Sequence, residues 1–176
     1  MQRPPDPKPI PAVGESTTVS PPPARIAQVV SGGQTGVDRA ALDVALGAGL
    51  PCGGWCPKGR RAEDGHIPRE YPVRETPTTR YPERTERNVR DSDGTLVLTQ
   101  GKPRGGTALT IAFARRMGRP CLVLDLKTSP DPDAVRAWIA THGIRTLNVA
   151  GPRESEAPGI HDQAAALLGR VLRAVD

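Results

Sequence analysis

Five aromatic residues in 176 leave little on which nucleic-acid bases could stack. Proteins that grip single strands combine positive charge with aromatic platforms, so a formal net charge of +5 leaves nucleic acid as the weakest candidate partner. Cysteine is scarce too. Cys52, Cys56 and Cys121 are odd in number and lack a second pair at metal spacing, which argues against a disulfide framework and a zinc site and leaves ordinary reduced thiols. His66, His142 and His161 show no ligand spacing, so no metal is expected. No apolar run approaches the ~20 residues of a membrane-spanning helix, and the proline-rich start lacks the apolar centre of a secretory signal. The expected location is cytoplasmic, away from membranes. Lysine is the last shortage, 4 against 20 arginines. Such an excess is either a surface habit or phosphate recognition, for which the planar guanidinium is suited; where the arginines sit decides.

What is present fits one domain with a core, since 176 residues at 36% hydrophobic are too few for two large ones. Residues 1–24 hold eight of the 20 prolines and no periodic apolar pattern, which predicts a disordered tail. The domain is then 25–176. It carries the whole +5, because Arg3 and Lys8 offset Asp6 and Glu15 in the tail.

Within the domain, short apolar runs alternate with helical patterns. Strands are expected at 25–30, 50–56, 71–76, 95–99, 120–126 and 145–150, and helices at 37–48, 82–92, 107–117, 132–142 and 158–174. This alternation predicts an α/β fold, a three-layer α/β/α sandwich with a mainly parallel sheet. One pattern recurs three times, strand to glycine-rich loop to helix, at SGGQTG, GKPRGGT and GPRES. Ligands of open α/β sheets bind beyond the carboxyl ends of the strands, where small residues let them approach backbone N–H groups at helix N-termini. Three such turns, with Arg39, Lys102, Arg104 and Arg153 in or beside them, point to an anionic ligand.

Several residues carry two readings. Thr35 and Asp38 form the T-x-x-D of a capping box; alternatively Asp38 binds a ligand hydroxyl. Arg84, Asn88 and Asp91 fall at i, i+4 and i+7 on one helix face, either solvated or turned to a ligand. The charged loop 57–70 is either plain solvated chain or a lid that brings Lys58, Arg60, Glu63 and Asp64 over the site. Trp55 and Trp138 are expected to pack rather than to stack on a ligand.

The stretches VVSGGQTGVDRAALDVAL, CPKGRRAEDGHIP, RTERNVRDSDGTL, GGTALT and LNVAGPRESEAPGI together resemble the molybdenum carrier family, over about residues 26–172. That family belongs to the Rossmann-like SLOG superfamily, beside the Lonely Guy phosphoribohydrolases and the DNA-processing protein A family. The resemblance implies a circular permutation, because LNVAGPRES, which is similar to the first strand and turn of Lonely Guy proteins, comes last here. Strand 145–150 should then lie parallel beside strand 26–30. Lonely Guy enzymes carry P-G-G-x-G-T-x-x-E and an arginine on the preceding helix. Arg84 stands at the position of that arginine, but Ala108, Leu109 and Thr110 follow Thr107, so the glutamate is absent and the resemblance leans away from an enzyme.

The expected function is therefore a carrier that binds a phosphorylated pterin or nucleotide-like molecule, with molybdenum cofactor (molybdopterin) as the ligand the resemblance implies. Its anionic groups would meet Ser31, Gly32, Gly33, Gln34, Thr35 and Gly36, then Gly105, Gly106 and Thr107, and then Gly151, Pro152, Arg153, Glu154 and Ser155. Arg84 would add counter-charge, while Asn88, Asp91 and Asp38 would read ring or sugar groups. The alternative is a hydrolase of a nucleotide or nucleotide derivative, with Glu63, Asp64 or Glu154 as general acid. A homo-oligomer is expected from the habit of the superfamily.

Overall fold

The computed structural model describes residues 25–173; the predicted tail, 1–24, lies outside them. The elements run β1 (Gln28–Val30), α1 (Val37–Gly47), β2 (Cys52–Gly53), β3 (Trp55–Cys56), β4 (Arg61–Ala62), β5 (Gly65–His66), β6 (Arg74–Glu75) and α2 (Tyr81–Arg90). They continue with β7 (Gly94–Thr99), α3 (Gly105–Arg116), β8 (Cys121–Asp125), α4 (Pro132–Thr141), β9 (Thr146–Ala150) and α5 (Ile160–Leu172). Five strands form one sheet in the order β2-β1-β9-β7-β8, and every neighbouring pair is parallel.

Read with β9 first, the sheet order becomes third, second, first, fourth, fifth, which is the doubly wound Rossmann order. The chain is thus a Rossmann-like three-layer sandwich whose first strand has moved to the end. The expected pairing is observed: Gln28, Val29 and Val30 lie opposite Thr146, Leu147 and Asn148.

The alternation of strand side chains sorts the two faces. Val29, Leu96, Leu98, Leu147 and Val149 join the core with α1, α4 and α5. Ala40, Ala41 and Ala45 on α1 are fully buried in that layer, and their small side chains let the helix lie close to sheet and α5. On the opposite side α2 and α3 pack through Val89, Phe113 and Ala114. The strand residues pointing that way include Thr95, Thr99 and Asn148, all buried, with the Asn148 amide donating to Thr95 at 3.2 Å. A buried polar layer therefore runs beneath α2 and α3.

Two expectations are corrected. The single strand expected at 50–56 is divided at Gly54, whose φ is +127° and where a Cβ would stand 2.1 Å from the Ser31 carbonyl oxygen. The chain leaves the main sheet there, and β3 pairs in parallel with β6 instead. The capping box also does not form. Helix α1 is capped by Gly36, one residue later than expected, with no side-chain cap; the Asp38 carboxylate accepts from Gln34 N–H at 3.4 Å, while Thr35 N–H donates to Gln34 Oε1 instead. Asp38 is buried and needs a counter-charge, which Arg84 supplies.

Candidate functional site

The turns after β1 and β9 meet because their strands are neighbours. Val37 N–H donates to the Pro152 carbonyl at 3.3 Å, and Glu154 N–H donates to Thr35 Oγ1 at 3.2 Å. The glycines make this contact possible. A Cβ on Gly36 would lie 2.4 Å from the Pro152 carbonyl oxygen, and one on Gly151 would lie 2.2 Å from that of Leu98. At Gly32 the space of the missing side chain is filled by the Arg84 guanidinium, 1.7 Å from where a Cβ would stand. These three glycines let protein approach protein.

Gly106 differs. Outside its chain neighbours and its own helix backbone, no atom lies within 4 Å of a Cβ built there, and the residue borders a cleft with Gln34, Arg84, Thr107, Thr110 and Arg153. The cleft encloses about 380 Å³ of empty space, part of it open to solvent.

The groups facing the cleft are mostly donors. Thr107 and Ala108 N–H return to the Arg104 carbonyl and no side chain caps α3, which leaves the Gly105 and Gly106 N–H groups as the unsatisfied donors of the first turn. Gln34 Nε2 and Arg84 Nε are buried without a partner. Unpaired buried donors are costly and rare.

Each arginine here already has an internal partner. Arg84 Nη1 lies 3.1 Å from Asp38 Oδ2, Arg39 forks onto Asp64 at 2.5 and 2.9 Å, and Arg153 Nε lies 4.0 Å from Glu63 and 3.5 Å from Glu156. Burial pushes the Asp38 carboxyl up, and Arg84 only partly restores it. At Glu63 burial acts in the same sense, but the hydroxyls of Ser155 and Thr35 outweigh it and hold the carboxyl below its usual range. Arg39 does the same for Asp64.

A model of the circularly permutated YpsA SLOG family matches residues 29–172. The chain belongs to that family. It is also similar to the crystal structure of a putative molybdenum carrier protein from Syntrophus aciditrophicus SB, with 47% identity, a TM-score of 0.82, and coverage of 86% of this chain and 97% of that one. No protein with a curated description matches.

In this member of the permuted YpsA family the structure gathers part of the expected residue set and turns part of it elsewhere. Gln34, Asp38, Arg84, Gly106, Thr107, Gly151 and Arg153 border the cleft. Ser31 is fully buried and donates to the Val149 carbonyl at 2.7 Å. Asn88 clamps the backbone of Trp55, accepting from its N–H at 2.8 Å and donating to its carbonyl at 3.0 Å. Asp91 accepts from the Trp55 indole at 2.8 Å. Asn88 and Asp91 border a separate recess, about 680 Å³, below Trp55 and Arg74. The Glu154 carboxylate faces the start of α5, accepting from Gly159 and His161 N–H. Within the expected lid, Arg60 donates to the carbonyls of Ile67, Pro68, Tyr71 and Val73, so it braces its own loop, and Lys58 is exposed.

Four bordering residues escaped sequence reasoning: Thr85, Thr110, Ala150 and Glu156. Thr110 had a signal. It occupies the position at which the Lonely Guy pattern carries its glutamate, and its hydroxyl donates to the Gly106 carbonyl at 2.9 Å. Thr85 and Glu156 carry no sequence pattern that separates them from ordinary surface residues.

Proposed function

We propose that this protein binds a phosphorylated small molecule, with a phosphoryl group in the cleft between α2, the start of α3 and the joined turns 31–36 and 151–155, and that it carries this ligand rather than transforming it. The observation that carries the reading is that Gln34 Nε2 and Arg84 Nε, both buried without a partner, belong to residues that line one small cleft together with Gly106 at the uncapped start of α3. Donors at a helix N-terminus suit an anion. Molybdenum cofactor, a phosphorylated pterin, fits at its phosphate end; its ring would extend into the open part of the cleft. A hydrolase reading has less support, because Glu63 and Asp64 are both held ionised and Glu154 faces α5.

Mass spectrometry of the protein purified under native conditions should reveal a phosphorylated ligand. Gly106→Val provides the matching perturbation. Its side chain enters the cleft where no protein atom obstructs it, so the fold should survive, while loss of even one charge-assisted hydrogen bond, worth ~1.5–3 kcal/mol, should weaken inorganic phosphate about 10- to 150-fold by calorimetry. Equal affinity in variant and parent would place the ligand elsewhere.

A further inference from the structure

Two of the carboxylates that neutralise the site's arginines sit side by side at the tip of one hairpin. Glu63 and Asp64 form the turn between β4 and β5, yet they contact residues 25 or more positions away. The Glu63 carboxylate accepts from the hydroxyls of Thr35 and Ser155 and from Ser155 N–H at 3.2 Å, with Arg153 Nε at 4.0 Å. Asp64 receives both arms of Arg39, at 2.5 and 2.9 Å. Two hydroxyls, one backbone N–H and two guanidinium groups around adjacent carboxylates make a donor set that phosphoryl oxygens would also satisfy.

An independent feature connects this tip to the cleft. Gln34 is 5% exposed, and its Oε1 accepts from both Thr35 N–H and Glu63 N–H, while its Nε2 lacks any partner. The amide therefore joins the tip to the cleft while still holding an unused donor. The base of the hairpin is anchored separately by Arg60 and its four carbonyls, so the tip can leave without unfolding its loop.

We propose that the Glu63–Asp64 tip is an internal stand-in for a diphosphate: a ligand with two adjacent phosphoryl groups displaces the two carboxylates and takes over Thr35, Ser155, Arg153 and Arg39. This rests on the anion-cleft reading and narrows its ligand class from any phosphorylated molecule to a diphosphate. The tip then discriminates, because a single phosphate seated beside Gly106 has no need to displace it.

The test is calorimetric titration of the full chain with inorganic pyrophosphate and with inorganic phosphate, for the parent and for Glu63→Ala/Asp64→Ala. Pyrophosphate should bind about 2- to 30-fold more tightly to the double variant, the product of two displaced rim ion pairs. Inorganic phosphate should change less than about twofold. In the parent, pyrophosphate should also speed hydrogen exchange of the Glu63 amide, which inorganic phosphate should leave protected. Glu63→Gln/Asp64→Asn keeps the side-chain shapes and should show the same selective gain if the alanine variant folds poorly. Pyrophosphate affinity that is unchanged or weaker in both variants, with inorganic phosphate still binding, overturns the stand-in alone. So does a Glu63 amide that stays protected at saturating pyrophosphate. Absence of binding by either anion to any of the proteins overturns the anion-cleft reading and this proposal with it.

Discussion

Replacing Arg84 by Met should expose what the buried ion pair holds in check. Asp38 is 3% exposed, burial raises its pKa, and Arg84 at 3.1 Å opposes that rise. Met keeps most of the stem and removes the charge. The folded variant must then either hold an unpaired buried carboxylate, a change that costs about 3–5 kcal/mol when buried pairs are broken, or protonate it. Protonation sets an upper limit. From an ordinary value of 3.8, it costs about 1.36 kcal/mol per pH unit, so about 4.4 kcal/mol at pH 7. The sign follows from the direction of the shift. A carboxyl whose folded pKa lies above its unfolded value binds protons more readily when folded, so the penalty is complete above the folded pKa and fades as pH falls toward 3.8. That upper limit falls to about 1.6 kcal/mol at pH 5, so the loss relative to the parent should shrink as pH falls if protonation sets it. Urea denaturation of parent and variant at pH 7, 6 and 5 measures this directly. Adding Asp38→Asn to Arg84→Met should recover most of the stability at pH 7. A loss that does not vary with pH, or a double variant no more stable than Arg84→Met, would refute the account.

Two further outcomes test the construction of the site. Gly36→Ala forces φ +77° on a residue with a Cβ and drives that Cβ to 2.4 Å from the Pro152 carbonyl oxygen, so chemical denaturation should show a loss of at least ~3 kcal/mol from strain and overlap together; a loss below about 1 kcal/mol would mean the joined turns are not rigid. Arg60→Ala removes donors from four carbonyls of the 67–73 segment, and a glutamate-specific protease should then cut after Glu70 at least about tenfold faster, as expected when local opening loses over 1.4 kcal/mol of opposition. An unchanged cleavage rate would show that the loop is held by something else.

Much of the fold could be read from the chain itself, because its causes are local. Apolar runs such as TLVLT and CLVLDL, separated by helix-period segments, specify a parallel sheet whichever ligand it serves. The permuted order of motifs predicted that β9 would lie beside β1, and the register of Val29 against Leu147 bears this out.

What each polar side chain does was settled only by tertiary contacts. Three glycine-rich turns look alike in sequence, yet Gly36 and Gly151 admit protein backbone and Gly32 admits the guanidinium of Arg84, 52 positions away, while Gly106 borders a cleft. Arg84, Asn88 and Asp91 share one helix face, but the first reaches Asp38 and the others grip Trp55. Glu63 reaches Ser155 across 92 positions. Periodicity and turn chemistry act over a few residues, so the sequence alone determined the elements and the places where backbone could be bared. A hydrogen bond or buried ion pair depends on which distant donor the folded topology brings within about 3 Å, and only the tertiary structure decided which donors were left without a partner.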